Sequence, residues 1–237
     1  MQDKIINREL SSVDIIKDTW IRDQNTGSWI IVLSDDLRNY SVQEVNLWYI
    51  NVLIKTLDSF SHLARAWRIH FGPYKRCDIE VINLEWTQES LYQEYIEKVI
   101  EIIRNYSAPI FEIGIDVELF IHIRTSTSPT QPIKTWVRLP DNSFFIHGGL
   151  GHGEAYIHFD VAYTLFGPAT KEISPLTGPY PEPEEDFIVT LDDNELQLLN
   201  QPLLEQALQN WEEIFGSITD VEGIPGIYKY GFLVEPY

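Results

Sequence analysis

Residues Phe111–Arg124 decide the fold: they read FEIGIDVELFIHIR, with an apolar side chain at every second position. Successive side chains of a β-strand point to opposite faces of a sheet, so this pattern predicts a strand with one buried face and one polar face. Its fourteen residues make it long for a strand and indicate a large sheet. The positions on the predicted polar face are Glu112, Gly114, Asp116, Glu118, Phe120, His122 and Arg124.

Three more strands are predicted downstream, over residues 133–139, 143–147 and 154–166. Asp141-Asn142 and the glycine-rich run Gly148–Gly153 supply the turns between them. Four strands joined by short turns predict a long antiparallel meander. Neighbouring polar positions on the next strand are then expected to form cross-strand pairs, or to line a concave polar surface. These positions are Lys134, Trp136 and Arg138.

Helical periodicity predicts that helices flank this sheet on both sides in sequence. Ser41 and Glu44 have the spacing of a capping box, and the apolar spacing after them predicts a helix down to about His70. Its last turns would carry a basic patch, which the helix dipole favours at a C-terminus. That patch is His62, Arg65 and Arg68. Further helices are predicted over residues 87–106, 192–199 and 200–215.

Shorter strands are predicted over residues 28–34, 77–85 and 227–234. The resulting order of segregated strands and helices predicts an α+β fold, with the helices packed on the apolar face of the sheet. Residues 1–237 are expected to form a single globular domain, since no linker divides them. Residues 167–186 form a long proline-rich acidic loop within it, of a length that is usually functional or mobile.

The net charge of the chain limits the classes of partner that it can bind. Its formal net charge is −19, from 36 acidic and 17 basic residues. Such a field repels nucleic acid and anionic membranes and attracts cationic partners, although it also simply maintains solubility. The segment Met1–Leu10 has no apolar core, and the lone Cys77 cannot form an internal disulfide. A cytoplasmic location is therefore expected.

One stretch groups histidines with acids around the glycine-rich turn. The side chains concerned are His147, His152, Glu154, His158 and Asp160. Even spacing along a strand places Glu154, His158 and Asp160 on one face, close enough to converge on one ion or one proton. His and carboxylate groups suit zinc, iron or manganese, or general acid–base catalysis. The same pattern is also what a solvated sheet face looks like, and its spacing matches no zinc signature.

A second candidate is the acidic run in the proline-rich loop, formed by Glu182, Glu184, Glu185 and Asp186. Clustered charge steers encounters and sets partner choice, so this run is a candidate docking surface for a basic protein. Trp136 joins it as an aromatic contact on the polar sheet face. The competing interpretation is an ordinary solvated loop.

Signatures of nucleophilic catalysis and of nucleotide binding are missing from the sequence. It has no Gly-x-Ser-x-Gly motif and no phosphate-binding loop, and Gly148–Gly153 precedes a strand rather than a helix. The sequence therefore favours a binding protein over an enzyme, with no cofactor and with a basic protein partner, as in an inhibitor or an immunity-type protein. The alternative is a metal-binding or small-ligand-binding enzyme that uses the histidine and acid cluster with a divalent metal.

Overall fold

The computed structural model describes residues 26–72, 80–82, 91–125, 128–150, 153–162, 166, 194–222 and 230. These residues form seven strands: β1 Thr26–Leu33, β2 Ala64–Gly72, β3 Glu80–Ile82, β4 Glu112–Thr125, β5 Ser128–His147, β6 Ala155–Ala162 and β7 Asp220–Glu222. They also form three α-helices, α1 Val42–Ser59, α2 Tyr92–Asn105 and α3 Asn194–Phe215, and a short 3-10 helix, Leu37–Asn39.

The strands make one antiparallel sheet in the order β3-β2-β4-β5-β6-β1-β7. The helices pack on its apolar face, which confirms the predicted α+β class. The apolar positions of β4 are buried there, as the alternation in 111–124 predicts. Phe60 occupies the centre of this layer, with its ring centroid 4.8 Å from that of Phe144, 4.7 Å from Phe159 and 5.7 Å from Trp211.

The first helix is shorter than its apolar spacing predicts. The capping box of Ser41 and Glu44 is present, but α1 ends at Ser59 and not near His70. Backbone bonds from Leu63 and Ala64 to the Phe60 carbonyl turn the chain, and β2 follows. Most of residues 64–72 pair with the long edge of β4, and this tertiary context overrides the local helical pattern.

The basic patch predicted at the end of that helix is therefore wrong. Arg65 and Arg68 lie on β2, and the register of β2 against β4 shifts between Ala66 and Arg68. A bulge changes which face the following side chains point to, so residues three apart in sequence share one face here. The bulge amide of Ala66 donates to the Tyr92 hydroxyl at 3.1 Å. The result is that both arginines face the acids of β4.

The meander has three strands, β4, β5 and β6, where four were predicted. Asp141-Asn142 does not reverse the chain, because both halves of β5 pair with the same strand β4. Between Glu118 and Asp116 the register advances by two residues on β4 and by five on β5, from Arg138 to Ser143. The predicted turn is thus a bulge within one long strand.

The helices and strands outside the meander agree with the sequence predictions only in part. α2 confirms most of the helix predicted over 87–106, and α3 joins 192–199 and 200–215 into one helix with Pro202 inside it. β7 was not predicted. The strand predicted over 227–234 and the loop 167–186 lie outside the described residues, apart from Tyr230.

Candidate functional site

The candidate site is the outer face of the sheet, meaning the face opposite the three helices. None of the elements in the described ranges packs across it. The strand register aligns a polar row on this face, with neighbouring strands about 4.8 Å apart. In the order β2, β4, β5, β6, β1, β7 the row consists of Arg68, Asp116, Ser143, Asp160, Ser28 and Glu222.

Two arginines on this face bind acids of the same chain. The Arg65 Nε lies 2.5 Å from Glu118 Oε1, and the two side chains are only 5% and 1% exposed. The neighbouring pair, Arg68 with Asp116, is more open, with side chains 43% and 18% exposed. Desolvation is therefore severe for the first pair and mild for the second.

Trp136, predicted as a partner contact, lies on β5 next to these ion pairs. The Arg65 guanidinium carbon is 3.8 Å from the centroid of the Trp136 ring, and the ring is 5.0 Å from that of Phe120. Lys134 Nζ lies 4.7 Å from the Phe120 ring centroid. The sequence predicted that Trp136 faces the polar positions of the preceding strand, and the observed register pairs it with Phe120. Both aromatic rings already contact cations of their own chain.

The structure brings together two members of the histidine and acid cluster, His158 and Asp160 on β6. His158 Nε2 lies 2.8 Å from Asp160 Oδ1, but without the alignment of a hydrogen bond. The same carboxylate accepts a hydrogen bond from the hydroxyl of Ser28 on β1. Sequence reasoning missed Ser28 because only the pairing of β1 with β6 brings it there.

His147, another member of the cluster, lies at the end of β5 in a different contact set. Its ring stacks on Tyr156 at 4.9 Å and meets the edge of Phe111 at 4.6 Å. Its Nδ1 accepts a hydrogen bond from the Gly149 amide at 3.1 Å, which requires the ring to be unprotonated there. Burial lowers the pKa of His147, and the nearby Glu112 carboxylate opposes this effect.

The glycine-rich turn beside His147 depends on two of its glycines. Gly149 has a φ of +66°, and a Cβ on it would lie 2.6 Å from the Gly153 carbonyl oxygen. A Cβ on Gly148 would lie 2.6 Å from the Tyr49 hydroxyl, which donates to the Phe111 carbonyl. Both positions therefore favour glycine for steric reasons, which is a structural role.

The lowered pKa of the buried His147 predicts how the stability of the fold depends on pH. A histidine with a lowered folded-state pKa takes up a proton more readily in the unfolded chain. The free energy of unfolding therefore falls as pH drops below the ordinary value of about 6.5. We expect His147→Asn, whose side chain still offers an acceptor, to lose less stability than the wild type between about pH 7.5 and 5.5. Urea unfolding at several pH values measures this, and parallel losses in both proteins would contradict it.

His70 is an outer-face histidine that the sequence prediction placed in a helix. It lies on β2 directly across Gly114, where a Cβ would be 2.0 Å from its Nε2. Its ring faces Phe145 at 6.4 Å, and Phe145 in turn faces His158 at 6.2 Å. A signal was present in the sequence, since a glycine at a polar position inside a strand marks close approach of another group.

The metal interpretation is not supported by the described part of the cluster. Among the described residues, no group of three or more His, Cys, Asp or Glu side chains is arranged to hold a metal ion. Glu154 is exposed just before β6, and His147 points into its own aromatic contacts. His152 lies outside the described residues, as do Glu182, Glu184, Glu185 and Asp186.

The Ser28, Asp160 and His158 group does not have the chemistry of a nucleophilic triad. In such a triad the imidazole lies between the hydroxyl and the carboxylate and takes the proton of the hydroxyl. Here the carboxylate lies between the other two groups, so the serine hydroxyl donates to the carboxylate and not to the imidazole. The arrangement instead presents a half-buried carboxylate, which suits binding of a cation.

Two further observations concern membrane spans and similarity to known proteins. Within the described ranges, none of the helices has the length and apolar character needed to cross a membrane. Comparison of the chain with protein-family models, with curated proteins and with solved structures gave no match.

Proposed function

We propose that this protein binds a cationic macromolecule, with a basic protein as its partner, in the manner of an inhibitor or an immunity-type protein acting in the cytoplasm. The observation that carries the proposal is the net charge of −19. A charge of this size attracts basic partners at long range and raises the rate of productive encounter.

The ion pairs of the described residues support this proposal. Arg65, Arg68 and Arg38 each contact a carboxylate of the same chain. Internal pairing of these cations reduces their repulsion of a basic partner, while most of the acids keep their field. The proposed mode of action is therefore non-covalent capture, in which charge selects the partner and apolar contacts retain it.

The proposed docking residues include the acidic run Glu182, Glu184, Glu185 and Asp186. These four carboxylates in a proline-rich segment would meet lysine or arginine side chains of the partner. Trp136 is the aromatic contact in this proposal. Because its ring also contacts Arg65, it would contribute apolar area rather than bind a second cation on the same side.

Binding to a basic protein tests the proposal. We expect the chain to bind cytochrome c, and to bind succinylated cytochrome c, in which lysine charge is reversed, much less. Calorimetry with ionic strength raised from about 0.01 M to about 1 M should show affinity falling steeply, because the Debye length shortens from about 30 Å to about 3 Å. Equal binding of both forms, or no binding at low salt, would contradict the proposal.

A charge-reversal variant tests the acidic run separately. The combined variant Glu182→Lys, Glu184→Lys, Glu185→Lys and Asp186→Lys should weaken the binding of cytochrome c more than four reversals on helices do. The matched control reverses four exposed helix acids, Glu94, Glu97, Glu101 and Glu213. If both variants weaken binding equally, these loop acids act only through net charge and are not a docking surface.

A further inference from the structure

The outer face of the sheet is electrically divided between its two ends. The strands β6, β1 and β7 and the adjoining residues 143–147 contain no lysine or arginine, as their sequences show. Among the seven described strands, lysine and arginine occur in β2, β4 and the first part of β5, as Arg65, Arg68, Arg124, Lys134 and Arg138. One end of the face therefore carries acids without a lysine or arginine of its own strands, and the base beside them is His158, next to Asp160.

Three carboxylates mark that acidic end. Asp160 belongs to β6, and the register places Glu222 opposite Ser28 and Asp220 opposite Ile30. Glu222 and Asp220 are exposed, and the Asp160 side chain is 19% exposed. The other positions of these strands on the same face include Ser28, His158 and three apolar side chains that are half-buried or exposed, Ile30, Val32 and Tyr156. We name the three acids and the three apolar residues, on β6, β1 and β7, the acidic half-face.

The chain itself shows how an arginine binds on this face. Arg68 reaches across from β2 and pairs with Asp116. Asp160 occupies the same row two strands away, with Ser143 between the two acids. The contacts of Asp160 in the described structure are the Ser28 hydroxyl and the His158 imidazole. A carboxylate in an equivalent position is thus available to a guanidinium or ammonium group from outside.

We infer that the acidic half-face is the docking surface for a basic segment of a partner protein, an inference that rests on the proposed function and deepens it. A lysine or arginine of that segment binds Asp160 and Glu222, and its apolar side chains cover Ile30 and Tyr156. Charged contacts at the border and apolar contacts at the centre are the usual anatomy of a protein interface.

Charge and edge chemistry argue against other occupants. A second copy of the chain would bring the same acids against each other, and like charges across an interface are unfavourable. Nucleic acid and anionic lipid are repelled for the same reason. Addition of a partner strand along β7 is disfavoured because the Val221 amide already donates to the Asp220 carboxylate at 2.8 Å. The face, rather than the edge, is what remains for a basic segment.

A peptide titration tests the docking surface. The probe is a short synthetic peptide of alternating arginine and valine, with an alternating glutamate and valine peptide as its charge control. The variant combines Asp160→Asn, Asp220→Asn and Glu222→Gln, which keep hydrogen-bond acceptors while removing charge. The matched control combines Glu94→Gln, Glu97→Gln and Glu101→Gln on α2, which packs on the opposite face of the sheet. Both variants change the net charge equally.

We expect the half-face variant to weaken binding of the arginine peptide about tenfold, and the α2 variant to weaken it less than about twofold. Thermal unfolding confirms that each variant is folded, and the single exposed change Glu222→Lys repeats the test if the triple variant is not. The inference is overturned if both triple variants weaken binding of the arginine peptide equally, or if neither variant weakens it.

The failures of the two proposals are distinguishable. If wild-type protein binds cytochrome c and the arginine peptide with strong salt dependence, but the half-face variant binds as tightly, only the docking surface is wrong. If wild-type protein binds neither basic probe, both the proposed function and the proposed docking surface are wrong. Light scattering adds a third outcome: a wild-type dimer that the half-face variant abolishes would make a second copy the occupant and overturn the inference.

Discussion

Replacing Glu118 with alanine is expected to destabilise the fold by about 3–5 kcal/mol, because it removes a carboxylate that pairs with the buried Arg65 guanidinium. Arg65 is only 5% exposed and has little access to water that could replace this contact. Its cation–π contact with Trp136, which contributes about 0.5–2 kcal/mol, is already present in the wild type and therefore does not replace the lost ion pair. Urea unfolding with a linear extrapolation measures the change.

The neighbouring ion pair provides the control for this prediction. Asp116→Ala also removes a carboxylate from an arginine of β2, but Arg68 is 43% exposed and water solvates it. We expect a loss of only about 0–1 kcal/mol. Replacing both buried partners, as Arg65→Met with Glu118→Leu, should recover most of the stability lost in Glu118→Ala. Similar losses for Glu118→Ala and Asp116→Ala would contradict the prediction.

The contrast between these pairs shows what each contributes to the outer face. Arg65 packs against the Trp136 ring, and both Arg65 and Glu118 are buried and have little surface to offer a partner. Arg68 and Asp116 are partly open, and they stand in the same row as Asp160. Binding by this face therefore depends on its partly exposed acids, such as Asp116 and Asp160. The buried pair of Arg65 and Glu118 instead stabilises the fold.

The sequence predicted β4 well because a single rule governs it. Alternation over 111–124 has one explanation, a strand with one covered face, and the burial of Ile113, Ile115 and Val117 confirms it. The same rule predicted that the polar positions of β4 face Lys134, Trp136 and Arg138 on the next strand, and the observed register pairs Phe120 with Trp136 and His122 with Lys134. Local periodicity is enough to predict strand pairing where, as in β4 and β5, the two strands are joined by a short connection.

Local periodicity failed where distant pairing decides the structure. Residues 60–70 carry apolar side chains at a helical spacing, yet β2 forms because β4 offers a free edge of fourteen residues. Because residues 60–70 were predicted as helix, the sequence did not show that Arg65 and Arg68 pair with acids of β4. It also did not show that His70 lies over Gly114. Similarly, Ser28 reaches Asp160 across 132 residues of sequence. No window of sequence contains both groups, so the candidate site could be located only in part.

The aromatic centre of the apolar layer supports the second large prediction. Phe60 follows the last residue of α1 as its C-cap, where the chain turns from helix to β2. Its ring is fully buried and meets three aromatic rings, two from the sheet and one from α3. One side chain thus joins a helix end, the sheet and a second helix.

Phe60→Ala is therefore expected to cost about 3–5 kcal/mol, because it loses the transfer free energy of the ring and leaves a cavity between α1, α3 and the sheet that these elements cannot fully close. Phe60→Leu should cost less, since it fills part of the same volume. Leu198→Ala, at a residue 68% exposed on α3, serves as the control and should change stability by no more than about 0.5 kcal/mol. Urea unfolding of the three variants measures these differences. A loss of less than about 1 kcal/mol for Phe60→Ala would mean that the aromatic centre repacks, and that the contacts of Phe60 do not hold α1 and α3 to the sheet.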